Sequence, residues 1–248
     1  MPMKTILVTT VALFALFFTP TLFAAPSAEE IVQKADQFRG FGQESFSLKL
    51  LIVSYQPQKE PQKNLLQVKV KAGSSLVEFL APNTVKGRAM LFEGRDLWLH
   101  IPKTRKIIRI SPAQRLMGES SNGDVAATNF SGDYQATLLG EETVENTPCY
   151  HLMLDAIDPK VTYHKIEYWV DRISGKPVVS KHFAASGKLL KTAVYKSFID
   201  VQGQEKLEKL LLINPLLEGN YTWMIYSDYS KEDFPPALFR KENLNRLQ

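Results

Sequence analysis

The sequence predicts a mainly β protein built on antiparallel strands, and three observations carry that prediction. From Phe46 onward apolar residues alternate with polar ones and do not recur at the helical period. The alternating runs follow one another at short intervals, separated by turn residues. Nothing helical between them is long enough to cross over a parallel sheet. One helix precedes the alternating region and one long interruption divides it.

The chain opens with Lys4, an apolar run over residues 6–18 and small residues at Ala24 and Ala25. That order of charge, apolar core and small-residue exit marks a secretory signal peptide. The run is shorter than the roughly 20 apolar residues a spanning helix needs. We place the leader at 1–24 and one domain at 25–248, although Leu22 fits the cleavage pattern poorly and Pro26 disfavours a cut one residue later. No cysteine follows the run to take a lipid, so the expectation is a soluble exported protein. Its first element is a helix. Ser27 and Glu30 form a capping box, Ile31, Val32, Ala35 and Phe38 share a face, and Gly40 ends it.

Strands follow. Phe46, Leu48, Leu50 and Ile52 alternate with Ser47 and Lys49, and Leu66, Val68 and Val70 alternate with Gln67, Lys69 and Lys71. A turn with Gly94 at its first central position sets Phe92 opposite Leu97, Leu91 opposite Trp98 and Met90 opposite Leu99, which leaves both faces of that hairpin apolar. A second turn at Ser174-Gly175 sets Trp169 opposite Ser180, Tyr168 opposite Lys181, Glu167 opposite His182 and Ile166 opposite Phe183. Ile166, Tyr168, Val170, Val179 and Phe183 then share one side. Lys165, Glu167, Ser180 and His182 share the other. Further alternating runs cover residues 150–154, 190–198, 207–213 and 221–226.

Alternation stops over residues 111–134. Ser111-Pro112 opens a short predicted helix through Leu116 and Met117, residues 118–123 are polar and read as flexible, and Asp124 caps a further turn toward Phe130. Long insertions of this kind commonly form lids or binding loops. After Asp233-Phe234-Pro235-Pro236, residues Leu238, Phe239, Leu244 and Leu247 offer apolar contacts for a terminal helical segment.

Composition excludes several classes. Cys149 is the only cysteine, so no internal disulfide forms, and its apolar surroundings predict a buried thiol. The formal net charge of +4 falls by one with the loss of Lys4, and the basic residues are scattered, which argues against nucleic acid. Gly118-Glu119-Ser120-Ser121-Asn122 lacks the final glycine of a nucleophile elbow. His100, His151, His164 and His182 lie in separate predicted strands without metal-ligand spacing, and His182 reads as a surface partner of Glu167. No glycine-rich loop links a strand to a helix as a nucleotide cradle. The expectation is no enzyme, no metal and no cofactor.

Six stretches in order, SAEEIVQKAD, VKGRAMLFEGRDLWLHIPKTRKIIRI, AQRLMGESSNGD, GDYQATLLGEE, YWVDRISGKPV and FRKENL, resemble the LolA/LolB-like superfamily, in its outer-membrane lipoprotein-sorting branch. The resemblance covers nearly the whole predicted mature chain. It implies a half-barrel of about eleven antiparallel strands, its concave face covered by the opening helix and the central loop helices. It further implies a periplasmic carrier of Gram-negative type for lipoproteins or other acylated cargo. Such a carrier contacts the membrane transiently, and an inner-membrane transporter or outer-membrane receptor is its partner. On that reading Phe46, Leu48, Leu50, Ile52, Met90, Phe92, Leu97, Leu99, Ile166, Tyr168, Val170, Val179 and Phe183 line a lipid-binding cavity, and Ile31, Ala35, Phe38, Leu116 and Met117 form its lid. The same residues would equally fill a closed core. A periplasmic adaptor or sensor that docks a membrane transporter or signalling protein without carrying cargo is the alternative. The best-known members use an arginine at the cavity mouth; no motif places it here, and Arg88 is the candidate.

Overall fold

The computed structural model describes residues 25–246 apart from 43, 127 and 128. The leader assigned to 1–24 and the contact expected of Leu247 lie outside the described residues. Helix α1 (Ala28–Asp36) starts as its capping box predicts, with Glu30 N–H donating to Ser27 Oγ at 3.2 Å and Ser27 N–H donating to Glu30 Oε2 at 2.7 Å. Its buried face is Ile31, Val32 and Ala35.

The first strands are β1 (Phe46–Tyr55), β2 (Gln62–Lys71), β3 (Ser74–Ala81), β4 (Ala89–Glu93), β5 (Asp96–Ile101) and β6 (Lys106–Ile110). After the interruption come β9 (Tyr134–Val144), β10 (Thr147–Ala156), β11 (Lys165–Asp171), β12 (Pro177–Phe183), β13 (Leu189–Val201), β14 (Gln204–Ile213) and β15 (Tyr221–Lys231). They form one antiparallel sheet of thirteen strands, against the eleven or so expected, in the order β6-β5-β4-β3-β2-β1-β15-β14-β13-β12-β11-β10-β9. The sheet is curved and does not close into a barrel.

This order fixes the place of the interruption. β1 and β15 pair at the centre, and the chain meanders outward from that seam to an edge at β6 and an edge at β9. Because β6 ends at Ile110 and β9 begins at Tyr134, residues 111–133 join the two edges, and the described residues among them run across the concave face.

Within that segment the predicted helix is absent. Arg115–Met117 (β7) pairs with Ser120–Ser121 (β8) around a turn in which Gly118 takes φ +55°, a left-handed conformation that ends any helix there. Leu116 and Met117 are therefore strand residues. Among the described residues of the segment the one regular helix is short, α2 (Asn122–Ala126), with Asp124 inside it and not at its cap.

The Gly94 hairpin has the predicted register. Both its faces are buried for a reason visible in the fold. Met90 and Leu97 face the inner core, whereas Ala89 and Leu91 face outward against Phe234, Phe239 and Leu244 of the C-terminal tail. That tail is two short 3-10 turns, Pro236–Phe239 and Lys241–Arg246.

The Ser174-Gly175 hairpin departs from prediction by one residue. A bulge between Trp169 and Val170 places Trp169 opposite Val179, Tyr168 opposite Ser180, Glu167 opposite Lys181 and Ile166 opposite His182. A shift of one residue reverses a strand's faces. Ser180 and His182 therefore join Ile166 and Tyr168 inside, while Val179 and Phe183 turn to the outer face with Trp169. His182 is no surface partner of Glu167; it is 3 % exposed. His164 lies just before β11 and not in a strand.

Candidate functional site

The concave face is apolar over most of its extent. Phe46, Leu48, Leu50 and Ile52 of β1, Met90 of β4, Leu97 of β5 and Ile166, Tyr168 and Val170 of β11 are buried in it, and Phe92 and Leu99 pack at its margin. Val179 and Phe183 do not belong to it. The elements that lie over this surface contribute Ile31, Val32, Ala35, Met117, Val125, Ala126 and Phe130, with Leu116 partly buried beside them. Phe38 sits at the edge, its ring 5.5 Å from that of Phe198 in an edge-to-face pair.

Wall and cover meet closely. Gaps of about 20 Å³ remain beside Phe130, Tyr163 and His182 and beside Leu48, Val125 and Tyr226, with a third of about 10 Å³ beside Phe92 and Val161. Each is too small for anything beyond a single water molecule. Apart from two open clefts at its rim, of about 460 Å³ beside Phe38 and Lys206 and about 320 Å³ beside Phe92 and Asn129, the hollow of the curved sheet is filled by the cover's own side chains.

Beneath the cover runs a polar seam that sequence patterns did not reveal. Lys191 of β13, 3 % exposed, forms an ion pair with Asp124 of α2 and donates to the Glu119 carbonyl at 3.1 Å. The hydroxyl of Tyr163 donates to Asp124 Oδ1 at 2.6 Å, and Ser121 Oγ lies 2.9 Å from the same hydroxyl. Since the phenol proton goes to Asp124, Ser121 donates to Tyr163. Burial works against ionisation of Asp124, but Lys191, His182 and the N–H of Ser121 outweigh it and hold the carboxyl below its ordinary range. His182, bonded to Ser180 Oγ at 2.9 Å, is pushed down to about 3 by burial and then by Lys191.

Residues 118–123, read from their polarity as flexible, are instead seated in the sheet. A methyl group on Gly118 would lie 2.2 Å from Ser54 Oγ and 2.3 Å from Thr222 Oγ1, and one on Gly123 would lie 1.9 Å from Thr162 Oγ1. Glu119 N–H donates to Thr222 Oγ1 at 2.9 Å, and Asn214 donates to the Glu119 carboxylate at 2.8 Å. Ser120 Oγ donates to the Met117 carbonyl at 2.7 Å, with no histidine among its bonds in the described residues.

The two parts of the cover are tied together. Asp36 of α1 accepts the N–H groups of Phe130 and Ser131 at 2.8–3.0 Å. Burial raises the Asp36 carboxyl above its usual range, opposed by Arg39 and by those N–H groups. The Arg39 guanidinium lies 4.4 Å from the centre of the Phe130 ring. Arg39 thus stands at the hollow, while Arg88 lies half-buried in the β3–β4 connection. The C-terminal end of α1 is anchored to the wall by Lys206, which donates to the carbonyls of Gln37 and Gly40 at 2.7 and 2.6 Å. Cys149 is fully buried, as predicted.

Comparison with known proteins places this architecture. A family model described as "Uncharacterized protein" matches residues 71–246. The crystal structure of the LolA superfamily protein NE2245 from Nitrosomonas europaea is 35% identical, with 88% of this chain and 99% of that one aligned at a TM-score of 0.83. The chain belongs to the LolA superfamily. Two more distant structures share the fold. One is a putative outer membrane lipoprotein-sorting protein domain from Vibrio parahaemolyticus, at 22% identity and a TM-score of 0.75 over 88% of this chain and 98% of that one. The other is a DUF1329 family protein from Desulfovibrio piger, at 20% identity and a TM-score of 0.74 over 89% and 98%. No curated protein matches the sequence. Like the LolA fold itself, the chain is mainly β, and among the described residues no helix is long and apolar enough to cross a membrane.

Proposed function

We propose that this LolA superfamily member is a periplasmic carrier that shields the acyl chains of lipoproteins or other lipidic cargo during transfer toward the outer membrane, and that it is not an enzyme. The observation that carries the reading is the division of labour at the hollow. A rigid thirteen-stranded sheet supplies the apolar wall, and a separate edge-to-edge strap with α1 supplies the apolar side chains that fill it. When the strap lifts, an acyl chain takes the place of Met117, Val125, Ala126 and Phe130. Moving such a chain through water costs roughly 0.8 kcal/mol per methylene, or on the order of 12 kcal/mol for about fifteen carbons. Exchanging the cover's side chains for cargo keeps the wall out of water at every stage.

The wall on this proposal comprises Phe46, Leu48, Leu50, Ile52, Met90, Phe92, Leu97, Leu99, Ile166, Tyr168 and Val170; Val179 and Phe183, facing outward, have no part in it. Cargo arrives from an inner-membrane transporter and leaves to an outer-membrane receptor, with only transient membrane contact. Native mass spectrometry of the protein isolated from the periplasm tests the proposal. Co-purifying lipid or acylated peptide supports carriage. An empty protein in a stable complex with a protein partner would replace the carrier with an adaptor.

A further inference from the structure

We infer that the hollow holds a site for the anionic head group of a lipid, centred on Lys191 of the wall, and that Asp124 of the cover occupies this site in the closed protein. The inference rests on the carrier reading and specifies the cargo's chemistry. It follows from how charge is divided between wall and cover. Lys191 pairs directly across the sheet with His182, and Ser180 and Tyr168 continue the same inner face. None of these neighbours carries negative charge. The two hydrogen-bonding groups that compensate Lys191, the Asp124 carboxylate and the Glu119 carbonyl, belong to residues 111–133, and the face of Tyr163, 4.8 Å from the ammonium, supplies no formal charge.

Lifting the cover therefore strands an ammonium group in an apolar hollow, a costly arrangement unless an anion replaces Asp124. A neutral diacyl cargo leaves that cost standing. An anionic one removes it, and it brings acceptors to groups that lack partners at present. His182 Nδ1 and Tyr168 Oη are both buried and have no hydrogen-bond partner among the described residues. Tyr168 is 0 % exposed, and its hydroxyl offers a neutral donor to a phosphate or carboxylate oxygen. The cover is then its own competitor: its carboxylate mimics the head group while its apolar side chains mimic the acyl chain.

The test is competitive loading of the purified protein with dioleoyl phosphatidylglycerol and dioleoylglycerol, which share acyl chains and differ in charge, read by native mass spectrometry. The expected result is a preference for the anionic lipid of at least about tenfold, the scale of one charge-assisted hydrogen-bonded contact. Exchanging the pair, Asp124→Lys with Lys191→Asp, keeps an ion pair in the closed state and should bring the ratio to one or below, since the wall then presents a carboxylate to the head group. Equal loading of the two lipids by the native protein, or an unchanged ratio in a folded exchanged variant, overturns the inference and leaves carriage intact. Displacement of phosphatidylglycerol by free glycerol 3-phosphate at matching concentration also overturns it, since the site would then serve a soluble phosphate. Failure of both lipids to load refutes carriage itself. Should the exchanged variant not fold, the native ratio decides alone.

Discussion

Replacing Gly118 by alanine should release the cover while leaving the sheet in place. The added methyl would lie 2.2 Å from Ser54 Oγ, 2.6 Å from Ser54 Cβ and 2.3 Å from Thr222 Oγ1. Ser54 and Thr222 are paired neighbours on β1 and β15, the two central strands, held on both sides by further strands. The strap must therefore yield. A left-handed alanine at φ +55° costs about 1–2 kcal/mol, and forcing a methyl into a filled contact costs about 1–3 kcal/mol more. The sum, about 2–5 kcal/mol, weakens closure on the order of thirtyfold to several thousandfold. Hydrogen exchange reads this locally. The amide of Glu119, bonded across to Thr222 Oγ1, should accelerate by that factor while those of β1 and β15 keep their native protection. If the strand amides accelerate in step with the strap, cover and sheet open as one unit and the carrier loses its moving part.

Three further outcomes are expected. Leu99→Asp puts a charge at the margin of the wall and should abolish cargo loading in native mass spectrometry; undiminished loading in a folded variant would show that this face does not hold cargo. His182, held down to about 3, is neutral in the folded protein but protonates near 6.5 when unfolded, so its contribution to stability is present above pH 6.5 and is lost as pH falls toward 3. Between those values, thermal unfolding of the native protein should depend on pH more steeply than that of His182→Gln, by up to about 1.4 kcal/mol per pH unit, and parallel curves would refute the assignment. Leu244→Ala, at a residue of the C-terminal tail that is 1 % exposed, should cost about 2–5 kcal/mol in denaturant unfolding without altering lipid loading; a loss of loading would mean that the outer core communicates with the hollow.

Local signals made much of this fold legible. The capping box at Ser27 and Glu30 located α1, and Gly94 set the register of β4 and β5 because the turn lies between the strands it pairs. The apolar face of β1 likewise followed from alternation, and the two apolar faces of β4 and β5 from the register of their turn. Where prediction failed, the deciding partner was distant or the deviation had no residue signature. The bulge at Trp169 and Val170 reversed β12, and polarity then reinforced the error: Ser180 and His182 were assigned to water when they face Tyr195 and Tyr163. Polarity misled again over residues 118–123. Their partners Ser54, Tyr163, Lys191 and Thr222 come from strands and connections scattered along the chain, so no window of sequence shows that this segment is seated. Lys191 and Asp124 were missed for the same reason.

The seam between β1 and β15 also dictates how the molecule must assemble. Phe46 pairs with Lys231, so the centre of the sheet joins the first strand to the last, and contacts this remote in sequence form late. Each half can meander outward beforehand, but until the two halves zip together each offers an unpaired strand to any neighbour. A chaperone that masks β1 while the rest of the polypeptide is delivered would therefore speed maturation more than one acting on the outermost strands.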